Sequence, residues 1–215
     1  MTVLGHTSDY SALGSLQLLD LTGLNNDTFP VLSSSILSLN LTRCLVDFLH
    51  PASMTNVEQC ELPELRVLKA QSLYHLDDYT LNLIISKSNV GLQVLDISNC
   101  YDVTHLQIME LINSGKLEKL VEFSLQYCDV DDGIVSAIAR SLNSLKRLDL
   151  SGTTVTGLAV AGLVTKNLKR KLEFVGLRHC ENIGHETVEF LRGWGVMVDY
   201  ARHQQQKGAK RVRHF

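Results

Sequence analysis

The nine residues LQVLDISNC, Leu92 to Cys100, decide how this chain is read. Leu95 and Ile97 are separated by one polar residue, so on an extended backbone they point to one side while Val94, Asp96 and Ser98 point to the other. Leu92 and Cys100 add further apolar side chains before and after. One such strand is too short to bury its own apolar side, so it needs neighbours. The same spacing supplies them as Leu16-Leu19-Leu21-Leu24 in LQLLDLTGL, Ile36-Leu39-Leu41-Cys44 in ILSLNLTRC and Leu65-Leu68-Ala70-Leu73 in LRVLKAQSL. It returns as Leu120-Phe123-Leu125-Cys128 in LVEFSLQYC, Leu145-Leu148-Leu150-Thr153 in LKRLDLSGT and Leu172-Val175-Leu177-Cys180 in LEFVGLRHC. The seven motifs start at 16, 36, 65, 92, 120, 145 and 172, at intervals of 20, 29, 27, 28, 25 and 27 residues.

A fixed period of this length means stacked units, each burying the next one's apolar side. The strands then align in parallel and the repeated leucines form one continuous core. The ninth motif position closes the strand. Cys44, Cys100, Cys128 and Cys180 occupy it, where a small thiol fits and its weak donor reaches a backbone carbonyl. Cys60 lies off the motif and is expected to be the most accessible thiol.

Between motifs the apolar period lengthens to that of a helix. Leu106, Met109 and Ile112 share a face, as do Ile134, Ile138 and Leu142. Asp77, Thr104, Asp131 and Thr156 precede helical runs and suit N-caps, and Gly184 opens HETVEFLRG. In the first repeat Pro30 and the run Ser33-Ser34-Ser35 stand where a helix would be. The expected fold is α/β: residues 1–15 as a lead-in or partial cap, 16–200 as an array of about seven repeats with a closing strand in VMVDY, and 201–215 as a tail. Trp194 is expected to cover the open end of the core.

The motif LxxLxLxxC resembles the leucine-rich repeat, whose consensus is LxxLxLxxN/C over roughly 20–29 residues. Cysteine at its end followed by a short turn, best seen in Cys100-Tyr101-Asp102-Val103-Thr104, resembles the cysteine-containing subclass found in F-box/leucine-rich-repeat substrate receptors of ubiquitin ligases. That resemblance implies a right-handed horseshoe with strands on the concave side and helices on the convex side. It also implies a protein substrate on the concave face, and a Skp-type adaptor and a cullin engaged through an F-box segment. Only 15 residues precede the first motif here, without the amphipathic multi-helix pattern of an F-box, so the chain is read as part of a longer protein, as a repeat-only relative, or as one without the degradation role.

Composition narrows the classes. The 215 residues are 45% hydrophobic and 20% charged. No apolar run approaches the ~18 residues of a membrane span, and the first residues lack a basic, apolar leader. The expected setting is cytoplasmic or nuclear, with reduced thiols and no membrane partner. No nucleophile–base constellation, phosphate loop or metal-ligand spacing stands out, so neither an enzyme nor a cofactor nor a metal is expected. Asp129, Asp131 and Asp132 are too few and too irregular for a calcium loop and read as capping residues. His105, His179 and His185 read as turn residues.

A protein partner should meet the positions that flank the strand leucines. The expected contact set is Lys69, Gln71, Asp96, Ser98, Glu122, Gln126, Arg147, Asp149, Phe174 and Arg178, a face of both charge signs with some apolar surface. The tail carries Arg202, Lys207, Lys210, Arg211 and Arg213 and no acid, whereas the rest of the chain has 15 basic and 23 acidic residues. An alternative reading is therefore a chromatin- or nucleic-acid-associated subunit that binds through this tail. Such binding would weaken steeply with salt.

Overall fold

The computed structural model describes residues 2–3, 9–26, 28–73, 75–165 and 172–201. Each motif places a three-residue strand at its third to fifth positions. These are β2 (Leu18–Asp20), β4 (Ser38–Asn40), β6 (Val67–Lys69), β7 (Val94–Asp96), β8 (Glu122–Ser124), β9 (Arg147–Asp149) and β10 (Phe174–Gly176). With β1 (Thr2–Val3) and β11 (Met197–Asp199) they form a nine-stranded sheet, all pairs parallel and in chain order. The fourth motif position is in perfect register: Leu19, Leu39, Leu68, Leu95, Phe123, Leu148, Val175 and Val198 stand side by side. All eight are buried. Each such side chain contributes about 1.5–3 kcal/mol on burial, but only because its neighbours exclude water on both sides.

Helices follow most strands: α1 (Pro51–Gln59), α2 (Asp78–Ser86), α3 (His105–Asn113), α4 (Asp132–Ser141), α5 (Gly157–Thr165) and α6 (His185–Gly193). Their apolar stripes are buried, as in Ile134, Val135 and Ile138 of α4. The buried helix residues join the fourth-position side chains in one core, while the third and fifth motif positions, Gly176 apart, stay exposed or half-buried, so the helices lie on the other side of the sheet. The N-caps are as the sequence indicates. Asp77 accepts from the Thr80 amide at 2.8 Å, Thr104 from Gln107 at 3.2 Å and Asp131 from Ile134 at 3.0 Å. The next aspartate reaches across to the following unit. Asp78 accepts from the Thr104 amide and hydroxyl, and Asp132 accepts from both groups of Thr156 at 2.7 Å. Asp131 and Asp132 are thus structural, whereas Asp129 is simply exposed.

Two features were not legible in advance. Helix α1 has a weak apolar stripe, with Ser53 and Val57 its buried residues, and it starts on Pro51 behind His50. The eighth motif position also takes a left-handed backbone in every unit: Gly23, Arg43, Ser72, Asn99, Tyr127, Gly152 and His179 have φ between 52° and 74°. Each of their amides donates to a carbonyl of the following unit, for example Arg43 to Gln71 and Tyr127 to Ser151, both at 2.8 Å. Glycine adopts this conformation freely and asparagine and histidine tolerate it, whereas Arg43, Ser72 and Tyr127 are held there with the help of the inter-unit bond.

The motif cysteines work as the spacing suggests. Cys44, Cys100, Cys128 and Cys180 donate their thiols to Leu21, Ala70, Ile97 and Leu150 carbonyls at 2.9, 3.0, 3.2 and 3.1 Å. Each acceptor is the sixth motif residue of the preceding unit, so the thiol ties two units together. Thr153 fills the same slot but turns its hydroxyl to Leu150 of its own unit at 2.6 Å. Cys60 corrects the sequence reading. It caps the C-terminus of α1, is 3% exposed, and donates to the Val57 carbonyl at 3.1 Å. The unanticipated helix carries it under the core.

The start of the chain is part of the packed body. Strand β1 pairs with β2, and Tyr10 is fully buried with its amide on the Val31 carbonyl at 2.8 Å. The first unit lacks a helix, as Pro30 implies; its β3 (Asn25–Asn26) pairs with β5 (Leu45–Val46) of the second unit. Trp194 does not cover the end of the core. It is 50% exposed at the C-terminus of α6, against Phe190, and β11 with Val196 and Val198 closes the core instead. No helix among the described residues is long and apolar enough to cross a membrane.

Candidate functional site

The uncovered face of the sheet is built from two rows. The third-position row runs Leu18, Ser38, Val67, Val94, Glu122, Arg147, Phe174 and Met197; the fifth-position row runs Asp20, Asn40, Lys69, Asp96, Ser124, Asp149, Gly176 and Asp199. The strand period forces this, because alternate residues must leave the core side. Six of the expected contact residues, Lys69, Asp96, Glu122, Arg147, Asp149 and Phe174, line one shallow depression together with Val94 and Ser124. It encloses about 200 Å³, less than the roughly 300–1,000 Å³ of a small-molecule site.

The charges on this face are partly matched. Arg147 lies with its guanidinium carbon 4.5 Å from the centre of the Phe174 ring and its Nε 3.7 Å from Glu122. Arg178 donates Nε to both carboxylate oxygens of Asp199, at 2.8 and 2.7 Å, which raises the Arg178 pKa. Gln126 donates Nε2 to Asp149 Oδ2 at 2.9 Å. These groups are exposed or half-buried, so solvent screens each contact and it can be exchanged for a partner's.

The aspartates of the fifth row also have a local role. Asp20 Oδ1 accepts from the Thr22 amide, Asp96 Oδ1 from Ser98 and Asp149 Oδ1 from Ser151, at 2.9, 3.0 and 3.0 Å. Asn40 does the same for Thr42 at 3.1 Å. These side-chain bonds two residues ahead form the turn that ends each strand. At Asp20 the Thr22 hydroxyl and amide lower the carboxyl pKa. In each of these aspartates Oδ1 is committed to the turn, and at Asp149 Oδ2 accepts from Gln126.

Ser98 is a correction. It is fully buried, hydrogen-bonded to the Ser124 hydroxyl at 2.8 Å and accepting the Gln126 amide at 3.3 Å. At the seventh motif position a buried serine hydroxyl takes the backbone amide of the next unit's seventh residue. Ser98 does so for Gln126, and Ser151, 4% exposed, accepts the Arg178 amide at 3.1 Å. Gln71 sits apart from the main depression. It lines a second hollow at the C-terminal ends of the strands, with Arg43, His75, Asn99, Tyr101 and Asp102.

Sequence reasoning missed that edge. Tyr101 is 79% exposed there, and Tyr127 stacks on His179 with ring centroids 6.3 Å apart, spanning Gly152 of the intervening unit. The left-handed eighth position that aims these side chains has no letter signature beyond Gly23, Gly152 and Asn99. Asp199 and Met197 were also missed as members of the face, although the closing strand that carries them was legible.

Burial pushes the Cys44, Cys60 and Cys100 thiols up to about 11 and Cys128 to about 12. They are therefore neutral and inert rather than nucleophilic. Among the described residues no three His, Cys, Asp or Glu side chains are grouped to hold a metal. Arg202, Lys207, Lys210, Arg211 and Arg213 lie outside the described residues. The chain matches no protein-family model, and a search of curated proteins returns no relative.

Proposed function

We propose that this chain is a leucine-rich-repeat solenoid, a right-handed horseshoe, that serves as a protein-binding scaffold with the uncovered sheet face as its contact surface. One observation carries the reading: eight register-aligned strands leave a continuous face that no part of the described chain covers. That face mixes exposed Leu18 and Met197 with Phe174 and with charges of both signs. Protein contact surfaces likewise combine apolar and aromatic side chains with polar and charged groups. The cysteine-terminated motif further supports substrate recognition for an SCF-type ubiquitin ligase as the role, with a Skp-type adaptor and a cullin engaged through another segment.

Affinity purification of the full-length protein, with and without Phe174→Glu and Arg147→Glu together, tests both parts. Partners lost with the double substitution support the face. Co-purification of a Skp-type adaptor and a cullin, retained in the double variant, supports the ligase role. Recovery of other stable partners without either would leave a plain scaffold, and partners indifferent to the double substitution would refute the face.

A further inference from the structure

Resting on that reading of the uncovered face, we infer that its central depression receives a cationic side chain, so that the bound segment presents an arginine or lysine flanked by apolar residues. The argument starts from the register. Asp96, Ser124 and Asp149 are consecutive members of the fifth-position row. Adjacent strands lie about 4.8 Å apart, so the backbones of Asp96 and Asp149 are roughly 10 Å apart, with the smallest of the three side chains between them. A planar guanidinium carries N–H donors on both edges and can bond a carboxylate on either side.

The surroundings favour one positive charge. Ser124 forms the floor, its hydroxyl sharing a hydrogen bond with Ser98 at 2.8 Å, and it brings no charge of its own. Both flanking carboxylates are fixed by their turn bonds, Asp96 through Ser98 and Asp149 through Ser151. Asp96 Oδ2 has no partner among the described residues, and Asp149 Oδ2 has only the neutral Gln126 amide. Glu122 adds a third carboxylate on the wall, with Arg147 its matching cation but drawn over Phe174. Lys69 is beside Asp96 in register yet makes no ion pair within 4.0 Å among the described residues. The apolar parts of the wall are Val94 on one side and Phe174 on the other. A segment lying across the strands would set its cation at Ser124, an apolar side chain against Phe174, and an acceptor toward Lys69.

Selection from a phage-displayed random-peptide library on the intact chain tests this, with affinities then measured on the chain and on Asp96→Asn, Asp149→Asn and Phe174→Glu. Asparagine keeps the turn acceptor, as Asn40 does toward Thr42, so the two amide variants remain folded. The expected result is enrichment of peptides with one obligatory Arg or Lys. Each amide variant should then bind about tenfold more weakly, with less dependence on salt. Peptides that bind without a basic residue, lose affinity with Phe174→Glu and ignore both amide variants would overturn this inference while leaving the face intact. Peptides indifferent to all three variants, or no enrichment at all, would overturn the inference together with the face.

Discussion

Replacing Cys100 at the end of its strand separates packing from hydrogen bonding in the joint between two units. Its thiol is 1% exposed and donates to the Ala70 carbonyl at 3.0 Å. That carbonyl also accepts the Leu73 amide at 3.1 Å, so deleting the thiol does not orphan it. Cys100→Ala should therefore cost the packing of one sulfur plus a weak bond, about 1–2 kcal/mol. Cys100→Ser keeps a donor but on a shorter bond, and its extra polarity in an apolar site raises the cost to about 1–3 kcal/mol. Cys100→Thr should be the mildest, below about 1 kcal/mol, because its methyl fills the volume and its hydroxyl can turn to Ile97, as Thr153 turns to Leu150. Cys100→Arg would bury an unpaired charge and should prevent that part of the array from folding. Urea unfolding followed by circular dichroism measures the series through the midpoint and slope. An arginine variant as stable as the parent, or a threonine variant worse than serine by more than about 1 kcal/mol, would refute this account of the slot.

Several further outcomes are expected. In native conditions at pH 8 Cys60 should alkylate as slowly as Cys100 and far more slowly than a model thiol, with all five reacting after denaturation; fast labelling of Cys60 would place it outside the core. The raised thiol pKa values mean the folded chain holds protons that the unfolded chain has released above about pH 9. Stability is therefore full below that pH and should fall as pH rises toward 11, which thermal unfolding across the range would reveal. Asp132→Ala should cost about 1 kcal/mol by releasing the amide and hydroxyl of Thr156, and Asp132→Asn less, since the amide oxygen still accepts. Gly152→Ala should destabilise by roughly 1–2 kcal/mol, from its φ of 74° and from the Tyr127 ring that a Cβ would strike. Adding Tyr127→Ala should recover the steric share alone, and a double-mutant cycle showing no coupling would contradict the contact.

What the sequence by itself determined is the part governed by period. An alternation of two along LxL fixes which side of each strand is apolar, and a near-constant interval of 25 to 29 residues over most of the array forces units to stack in register. From this the parallel sheet, the N-capping aspartates and threonines, the buried cysteine slot and most of the uncovered face could be read. The period says nothing about a residue's neighbours in the next unit, and there the tertiary structure decided. Ser98 looks like a face residue by alternation, but the turn after the strand has begun and its hydroxyl takes the Gln126 amide. Cys60 looks free because it is off the motif, but a helix with little apolar stripe carries it inward. Residues as unlike as Arg43, Ser72 and Tyr127 share a left-handed backbone because an amide bond to the following unit helps to outweigh their own preference. Local sequence fixes what repeats within a unit, while the contacts between units fix which side chains remain exposed.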